Sequence, residues 1–293
     1  MDPTISLTID GISDVGSRRP NNEDAWWAGQ TNAAPLFMVP GPCALTLVPE
    51  RAPILLMVSD GVGGSKAGEV ASRLAVQTIS EAIGRNPAVM NGSQSPGDAI
   101  LAALGEADVA VKAKAAEPGF EGMGATLSIL LFASSENAHW GQAGDSRIYV
   151  CRSGKLRQIS RDHSPVSRMR QRGEITEAEA RRHSQRNEID QSLGNPDSPF
   201  LPECGTCDVL AGDVFLVCSD GLNDGLWDYE IEKSLAGVRS PSHVRPTVRR
   251  LVNAANHASG RDNITALVAL VGKAAPGRAA SQGQSFLRSL FRQ

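Results

Sequence analysis

Two stretches decide how this chain folds: Ile54-Leu55-Leu56-Met57-Val58-Ser59-Asp60-Gly61-Val62-Gly63-Gly64 and Val214-Phe215-Leu216-Val217-Cys218-Ser219-Asp220-Gly221-Leu222. In each, an apolar run of strand length stops abruptly at Ser-Asp-Gly. Short apolar runs bounded by turn-forming residues read as β-strands. The same reading covers Thr126–Phe132, Ala138–Gln142, Arg147–Cys151 and Ile264–Val271. Some of these runs alternate and others are wholly apolar, the mixture expected of sheets with one or both faces covered. The loops between Thr126 and Cys151 are too short for a crossover helix, which predicts antiparallel hairpins there. Helical spacing appears over Val70–Ile83, Ile100–Val111 and Val244–Ala255. Two helices thus interrupt the strands early and one precedes the last strand. An α+β layered domain fits this order better than a doubly wound parallel sheet.

Composition narrows the function. Of 293 residues, 41% are hydrophobic and 21% charged, which excludes a disordered or collagen-like chain. The 29 basic and 32 acidic residues leave a formal charge of -3, against a general nucleic-acid binder. The apolar runs, Ile54–Val58 among them, fall far short of the ~20 residues a membrane span needs. Met-Asp-Pro-Thr-Ile at the start lacks the basic flank and apolar region of a signal peptide. Five irregularly spaced cysteines argue against a secreted disulfide scaffold. A cytoplasmic protein is expected. Residues 161–194 are polar and carry seven arginines, which reads as a surface flap at about 164–194. From Gly272 the chain is rich in Gly, Ala, Ser and Gln without an acidic residue, which predicts a domain over 1–271 and a flexible tail over 272–293.

The aspartates fall where strands meet loops. Asp60 and Asp220 follow the two runs quoted above. Asp145 sits in Gly144-Asp145-Ser146-Arg147, Asp262 in Arg261-Asp262-Asn263, and Asp24 closes Asn21-Asn22-Glu23-Asp24. Singly, each is an ordinary turn residue. Together, if the junctions meet in space, they bring like charges into close range. Each carboxyl would then rise in pKa unless cations intervene. Ligands that are all oxygen point to hard Mg²⁺ or Mn²⁺ rather than zinc.

In this order, six segments resemble the metal-dependent protein phosphatases of type 2C, in their bacterial branch. They are Arg19-Pro20-Asn21-Asn22-Glu23-Asp24-Ala25, Ser59-Asp60-Gly61-Val62-Gly63-Gly64, Gly124-Ala125-Thr126, Gly144-Asp145-Ser146-Arg147, Ser219-Asp220-Gly221-Leu222 and Asp262-Asn263-Ile264-Thr265. The resemblance spans roughly Ile5 to Val271. It implies a four-layer α-β-β-α sandwich of two antiparallel sheets flanked by helices, with two Mn²⁺ or Mg²⁺ ions at one end and a looser third. It implies that Asp60, the Gly61 carbonyl, Asp24, Asp220 and Asp262 hold the pair, with Glu23 and Asn263 in support. Asp145 matches the third-metal ligand, and Asp224 is a weaker candidate for it. Arg19, five residues before Asp24, takes the place of the phosphate-binding arginine. A guanidinium fork suits two phosphate oxygens. Arg18 should face the other way in an extended segment. One departure stands out: many eukaryotic members carry a histidine where this chain has Val62, which transfers no proton. The general acid is therefore not assigned.

The resemblance implies hydrolysis of phosphoserine and phosphothreonine in proteins by a metal-activated water, with no covalent intermediate. The substrates would be those of a cognate Ser/Thr kinase, and a monomer is expected. A non-catalytic scaffold that binds a phosphoprotein or kinase is the alternative, and hydrolysis of small phosphate esters shares the chemistry. Other motifs carry less. Cys151 and Arg157 have the Cys-x5-Arg spacing of cysteine phosphatases, but the residues between read as a hairpin turn. Cys204 and Cys207 lack a second pair at zinc spacing. The five histidines are scattered, and His163 is expected to fix a turn. Trp26 and Trp27 are expected to pack a strand, with one ring in the core. The flap arginines allow two readings: recruitment of acidic substrates, or a solvated surface in which they pair with the interspersed Glu174, Glu177, Glu179 and Glu188.

Overall fold

The computed structural model describes residues 5–31, 45–49, 52–63, 67–90 and 92–273. Gly64 and most of the expected tail, from 274 on, lie outside the described residues. The first decisive run forms β4 (Ile54–Val62) and the second forms β11 (Val214–Cys218), and they belong to different sheets. One sheet orders β3 (Leu45–Leu47), β1 (Ile5–Asp14), β12 (Ile264–Lys273), β11, β8 (Arg147–Arg152) and β9 (Lys155–Gln158). The other orders β10 (Glu203–Asp208), β7 (Asn137–Ala143), β6 (Leu127–Phe132), β4 and β2 (Asp24–Gln30), with β5 (Gly124–Ala125) pairing the end of β4. The pairings are antiparallel throughout.

Both decisive runs are apolar without a break because both of their faces are covered. On β4, Leu56 and Val58 point between the sheets, where they join Leu130, Phe132, Phe215, Val217 and Leu267. Phe132 and Phe215 meet edge to face across that layer, with centroids 5.3 Å apart. Leu55 and Met57 point the other way, under α1 (Ala67–Gly84) and α3 (Pro96–Ala115), which bury Ala71, Ala75, Ile79, Ile100, Leu104 and Val111. On the opposite sheet, Leu216, Cys218 and Val268 face Val244, Val248 and Leu251 of α8 (Pro241–Ala258), beside α6 (Asp220–Gly225) and α7 (Asp228–Ala236). The four layers are helix, sheet, sheet, helix, as expected.

One expectation needs correction. β6 and β7 form the predicted hairpin. β7 and β8 do not, because the chain crosses from one sheet to the other through Gly144, Asp145 and Ser146. Gly144 makes this crossing with φ +100, and a Cβ there would stand 2.6 Å from the Thr126 side chain. A short loop excludes a helical crossover but not a change of layer.

The flap holds α4 (Pro165–Gln171) and α5 (Glu177–Ala180). Ser164 caps α4 and a Thr176–Glu179 capping box opens α5. Its closing end is fastened down: Leu193 bridges to Ala125, and the Gly194 N–H donates to Asp108 Oδ1 at 2.9 Å.

Candidate metal centre

The strand ends that carry the acids gather at one end of the sandwich. Asp24 opens β2 and lies opposite Asp60 on β4. Asp220 follows β11, Asp262 precedes β12, and Asp145 sits in the crossing between sheets. Asp24 is buried, and its Oδ2 accepts from Ser219 Oγ at 2.7 Å, just past the end of β11, and from Thr265 Oγ1 at 2.6 Å on β12 of the facing sheet. Asp60 is set by Thr126, whose hydroxyl accepts from the Asp60 N–H at 3.0 Å and whose own N–H donates to the Asp60 carbonyl. Ser146 Oγ lies 2.8 Å from the Thr126 hydroxyl. Asn263 closes the ring: its Oδ1 accepts from the Glu23 N–H at 2.7 Å, while its Nδ2 donates to the Val15 and Asn21 carbonyls. Gly61 must be glycine, since a Cβ there would stand 2.1 Å from the Gly68 carbonyl oxygen.

The electrostatics are those of crowded carboxylates. Burial pushes the Asp60 carboxyl well up, and the charges of Asp24, Asp220, Asp145 and Asp262 add to the shift. Asp220 is also held well above its ordinary range, by burial first and then by Asp145 and Asp224. Burial raises Asp24 from 3.8 to about 6, against the pull of its hydroxyl partners. Asp145 also rises to about 6, chiefly by burial, with Asp162 adding and Arg147 opposing. Arg19 is half exposed and donates from Nη2 to Asp262 Oδ2 at 2.6 Å. Arg18 beside it is exposed.

Among the described residues, no three acidic, histidine or cysteine side chains converge as a ready-made metal cage. Asp262 pairs with Arg19, and Asp24 with the Ser219 and Thr265 hydroxyls. Two observations nonetheless fit a hard cation. Asp24 Oδ1 and Asp220 Oδ1 are buried without a hydrogen-bond partner, a state that a bound cation would satisfy. The donor set is also entirely oxygen. The structure brings Asp24, Asp60, Gly61, Asp145, Asp220, Asp262, Glu23, Asn263 and Arg19 to this end. Asp224 stands exposed at the edge of a cleft that it shares with Asp145 and Asp220. Val62 is 43% exposed at the end of β4.

The other motifs resolve as structure. Cys151 and Arg157 flank the β8–β9 hairpin, and burial raises the Cys151 thiol, the opposite of what a nucleophile needs. Cys204 and Cys207 lie three apart on β10, so they point to opposite faces. His163 does fix a turn: its N–H donates to the Gly144 carbonyl at 2.9 Å. Trp27 packs under the helices, and Trp26 packs against the layer between the sheets. Of the flap arginines, Arg168 pairs with Asp190, Arg172 with Glu174, Arg181 with Glu177 and Arg170 with Asp228. Ser219, Thr265, Thr126 and Ser146 went unassigned in the sequence reading, although each stands in a quoted segment beside an acid or a strand end.

The profile of the family described as Protein phosphatase 2C matches residues 44–269. The chain belongs to the protein phosphatase 2C family. Among protein phosphatase 2C relatives, the serine/threonine protein phosphatase PstP of Mycobacterium tuberculosis is 34% identical over 275 residues, covering 91% of this chain and 45% of PstP. This chain therefore spans about half the length of that relative. The protein phosphatase PhpP of Streptococcus pneumoniae is 31% identical over 266 residues, covering 90% of this chain and 97% of PhpP. Among solved protein phosphatase 2C structures, the PstP catalytic domain in complex with two manganese ions superposes with a TM-score of 0.73 at 32% identity, covering 92% of this chain and all of that one. The Streptococcus agalactiae serine/threonine phosphatase superposes with a TM-score of 0.76 at 27% identity, covering 90% and 99%.

Proposed function

We infer that this chain is a metal-dependent serine/threonine protein phosphatase using Mn²⁺ or Mg²⁺. The observation that carries the reading is the pair of buried, partnerless carboxylate oxygens on Asp24 and Asp220, at the end where both sheets deliver their acids. The named activity of PstP and PhpP and the two manganese ions of the PstP structure support it. Asp60, the Gly61 carbonyl, Asp24, Asp220 and Asp262 would hold the pair of ions, with Asp60 shared between them. Asp145 would serve a weaker third site, with Asp224 at its margin. Bound ions of this kind supply Lewis acidity and lower the pKa of a coordinated water.

The chain's own residues do the rest. Glu23 and Asn263 hold the β1–β2 turn against the start of β12, which aims Asp24 inward. Arg19 exchanges Asp262 for two phosphoryl oxygens, a fork geometry that a lysine would lack. The leaving group's proton does not come from Val62. Residues 1–271 form the catalytic domain. The substrates are phosphoproteins made by a cognate Ser/Thr kinase, and the enzyme works as a cytoplasmic monomer. In the described residues no helix is long and apolar enough to cross a membrane, and the four described cysteines are free. The test is phosphate release from a phosphothreonine peptide and from an aryl phosphate with Mn²⁺, then with EDTA. Release from the peptide that EDTA abolishes is the expected result. Activity surviving EDTA would overturn the reading.

A further inference from the structure

Behind the acids runs a buried polar network that the proposed chemistry does not use. Its node is the hydroxyl of Tyr149 on β8, a side chain 1% exposed. Three groups meet there. Arg147 Nη1 donates to it at 3.0 Å, Asn223 Nδ2 donates at 2.7 Å, and the hydroxyl donates to Asp228 Oδ1 at 3.2 Å. Each leads to a different part of the centre. Asn223 lies on α6 between Asp220 and Asp224, and its Oδ1 accepts from Cys218 Sγ at 3.4 Å. Arg147 grips Asp162 at the base of the flap, with Nε 3.0 and 2.9 Å from its two oxygens and Nη2 at 2.7 Å. Asp228 meets Arg170 of α4, Nη2 to Oδ2, at 3.5 Å. A path of one partly exposed ion pair and two hydrogen bonds therefore runs from the flap, through Asp228, Tyr149 and Asn223, to the helix that presents Asp220 and Asp224.

We propose that Tyr149 is a positioning residue that couples the seating of the flap, through Arg170 and Asp228, to the placement of the α6 carboxylates. The inference rests on the reading of Asp220 as a metal ligand. Side-chain networks of this kind give more than the sum of their pairs when every member is satisfied. Here the Tyr149 hydroxyl accepts twice and donates once, which saturates it. Moving α4 away from Asp228 releases that carboxylate from Arg170, and as Asp228 shifts it draws on the Tyr149 hydroxyl that donates to it and loosens the bond the hydroxyl accepts from Asn223. The α6 turn loses a tether one residue away from Asp224 and three from Asp220.

The sign of the effect separates this relay from simple electrostatics. Arg170 lines the same cleft as Asp145 and Asp220. Removing a positive charge beside a cation site would tighten cation binding through space. The relay requires Arg170→Gln to weaken it. Mn²⁺ binding to the full chain, followed by titration calorimetry, is the readout. Tyr149→Phe is expected to weaken the Mn²⁺ affinity about tenfold, equivalent to about 1.4 kcal/mol. Arg170→Gln should weaken it less, Arg170→Lys should restore it, and the double variant should be no worse than Tyr149→Phe alone. Additive losses, a tighter Arg170→Gln protein or an unchanged Tyr149→Phe protein would each overturn the relay. If Tyr149→Phe does not fold, Asp228→Asn cuts the same path at a surface-accessible carboxyl and must reproduce the loss. Asp220→Ala is the control: if it leaves Mn²⁺ binding intact, the metal assignment itself fails and the relay falls with it. If Asp220→Ala abolishes binding while the network variants do not, only the relay fails.

Discussion

Asp60 and Asp220, whose carboxyls burial pushes furthest up, share the pH behaviour of the metal-free chain with Asp24 and Asp145. The latter two sit near pKa 6 when folded, against 3.8 as free carboxyls. A carboxyl with a raised folded pKa binds more protons folded than unfolded, so stability falls as pH rises from about 4 through about 6, and goes on falling above that through Asp60 and Asp220. The EDTA-treated protein should therefore melt higher at pH 5 than at pH 7.5, and added Mn²⁺, which displaces those protons, should reverse that slope. Asp220→Ala should raise the metal-free melting temperature by relieving a buried charge, a gain of about 1 to 3 kcal/mol. The same substitution should cut Mn²⁺-dependent turnover by more than about 100-fold, beyond the loss typical of a merely supporting partner. On the substrate side, Arg19→Ala should raise KM about tenfold or more for a phosphopeptide, because charged hydrogen bonds contribute about 1.5 to 3 kcal/mol each. Arg18→Ala should change KM by less than about twofold, within the range of an exposed charge. Equal effects in steady-state kinetics would place the wrong arginine at the phosphate.

Among the elements, the flap and α8 make contrasting demands. The flap arginines are engaged: Arg168 with Asp190, Arg170 with Asp228 and Arg172 with Glu174. That favours the paired-surface reading over substrate recruitment. Neutralising all three should therefore lower kcat/KM for a phosphoprotein and for a small aryl phosphate in parallel. A loss confined to the phosphoprotein, shrinking as salt rises, would restore recruitment. α8 instead depends on burial. Leu251 is fully buried against Leu216 and Val268, so Leu251→Ala should cost about 2 to 5 kcal/mol in denaturant unfolding. Metal affinity of the folded fraction should stay near that of the parent, since α8 supplies no acid to the centre.

For the whole molecule, much of the fold was legible because burial on both faces writes itself into composition. β11 and the Ile54–Val58 part of β4 are unbroken apolar runs for that reason, and β6 and the buried part of β12 are interrupted only by Ser128 and Thr265. β10 was not legible: Glu-Cys-Gly-Thr-Cys-Asp is an edge strand with mixed exposure, and it has no pattern that a loop lacks. The change of sheet between β7 and β8 was hidden too, because loop length bounds the connection but does not say which layer receives it. At the centre, the acids were readable from their motifs. The hydroxyls that hold them were not, because Ser219 and Thr265 act across a gap between sheets that no local spacing encodes.

That gap has a mechanical consequence. Sheets in a sandwich are joined by apolar contact, which resists separation better than it resists sliding. Asp24 and Asp60 belong to one sheet, while Asp220 and Asp262 flank strands of the other, just after β11 and just before β12. An ion drawing on both sets fixes the lateral offset of the sheets at one end and leaves the other end free to shear. Amide exchange should slow on Mn²⁺ addition near Asp24, Asp60, Cys218 and Ile264, and stay unchanged where Gln30 pairs with Ile54 and Val214 with Leu270. The chain would then hold a gradient of stiffness along its strands, steepest at the end that carries the acids and shallowest at the end remote from it.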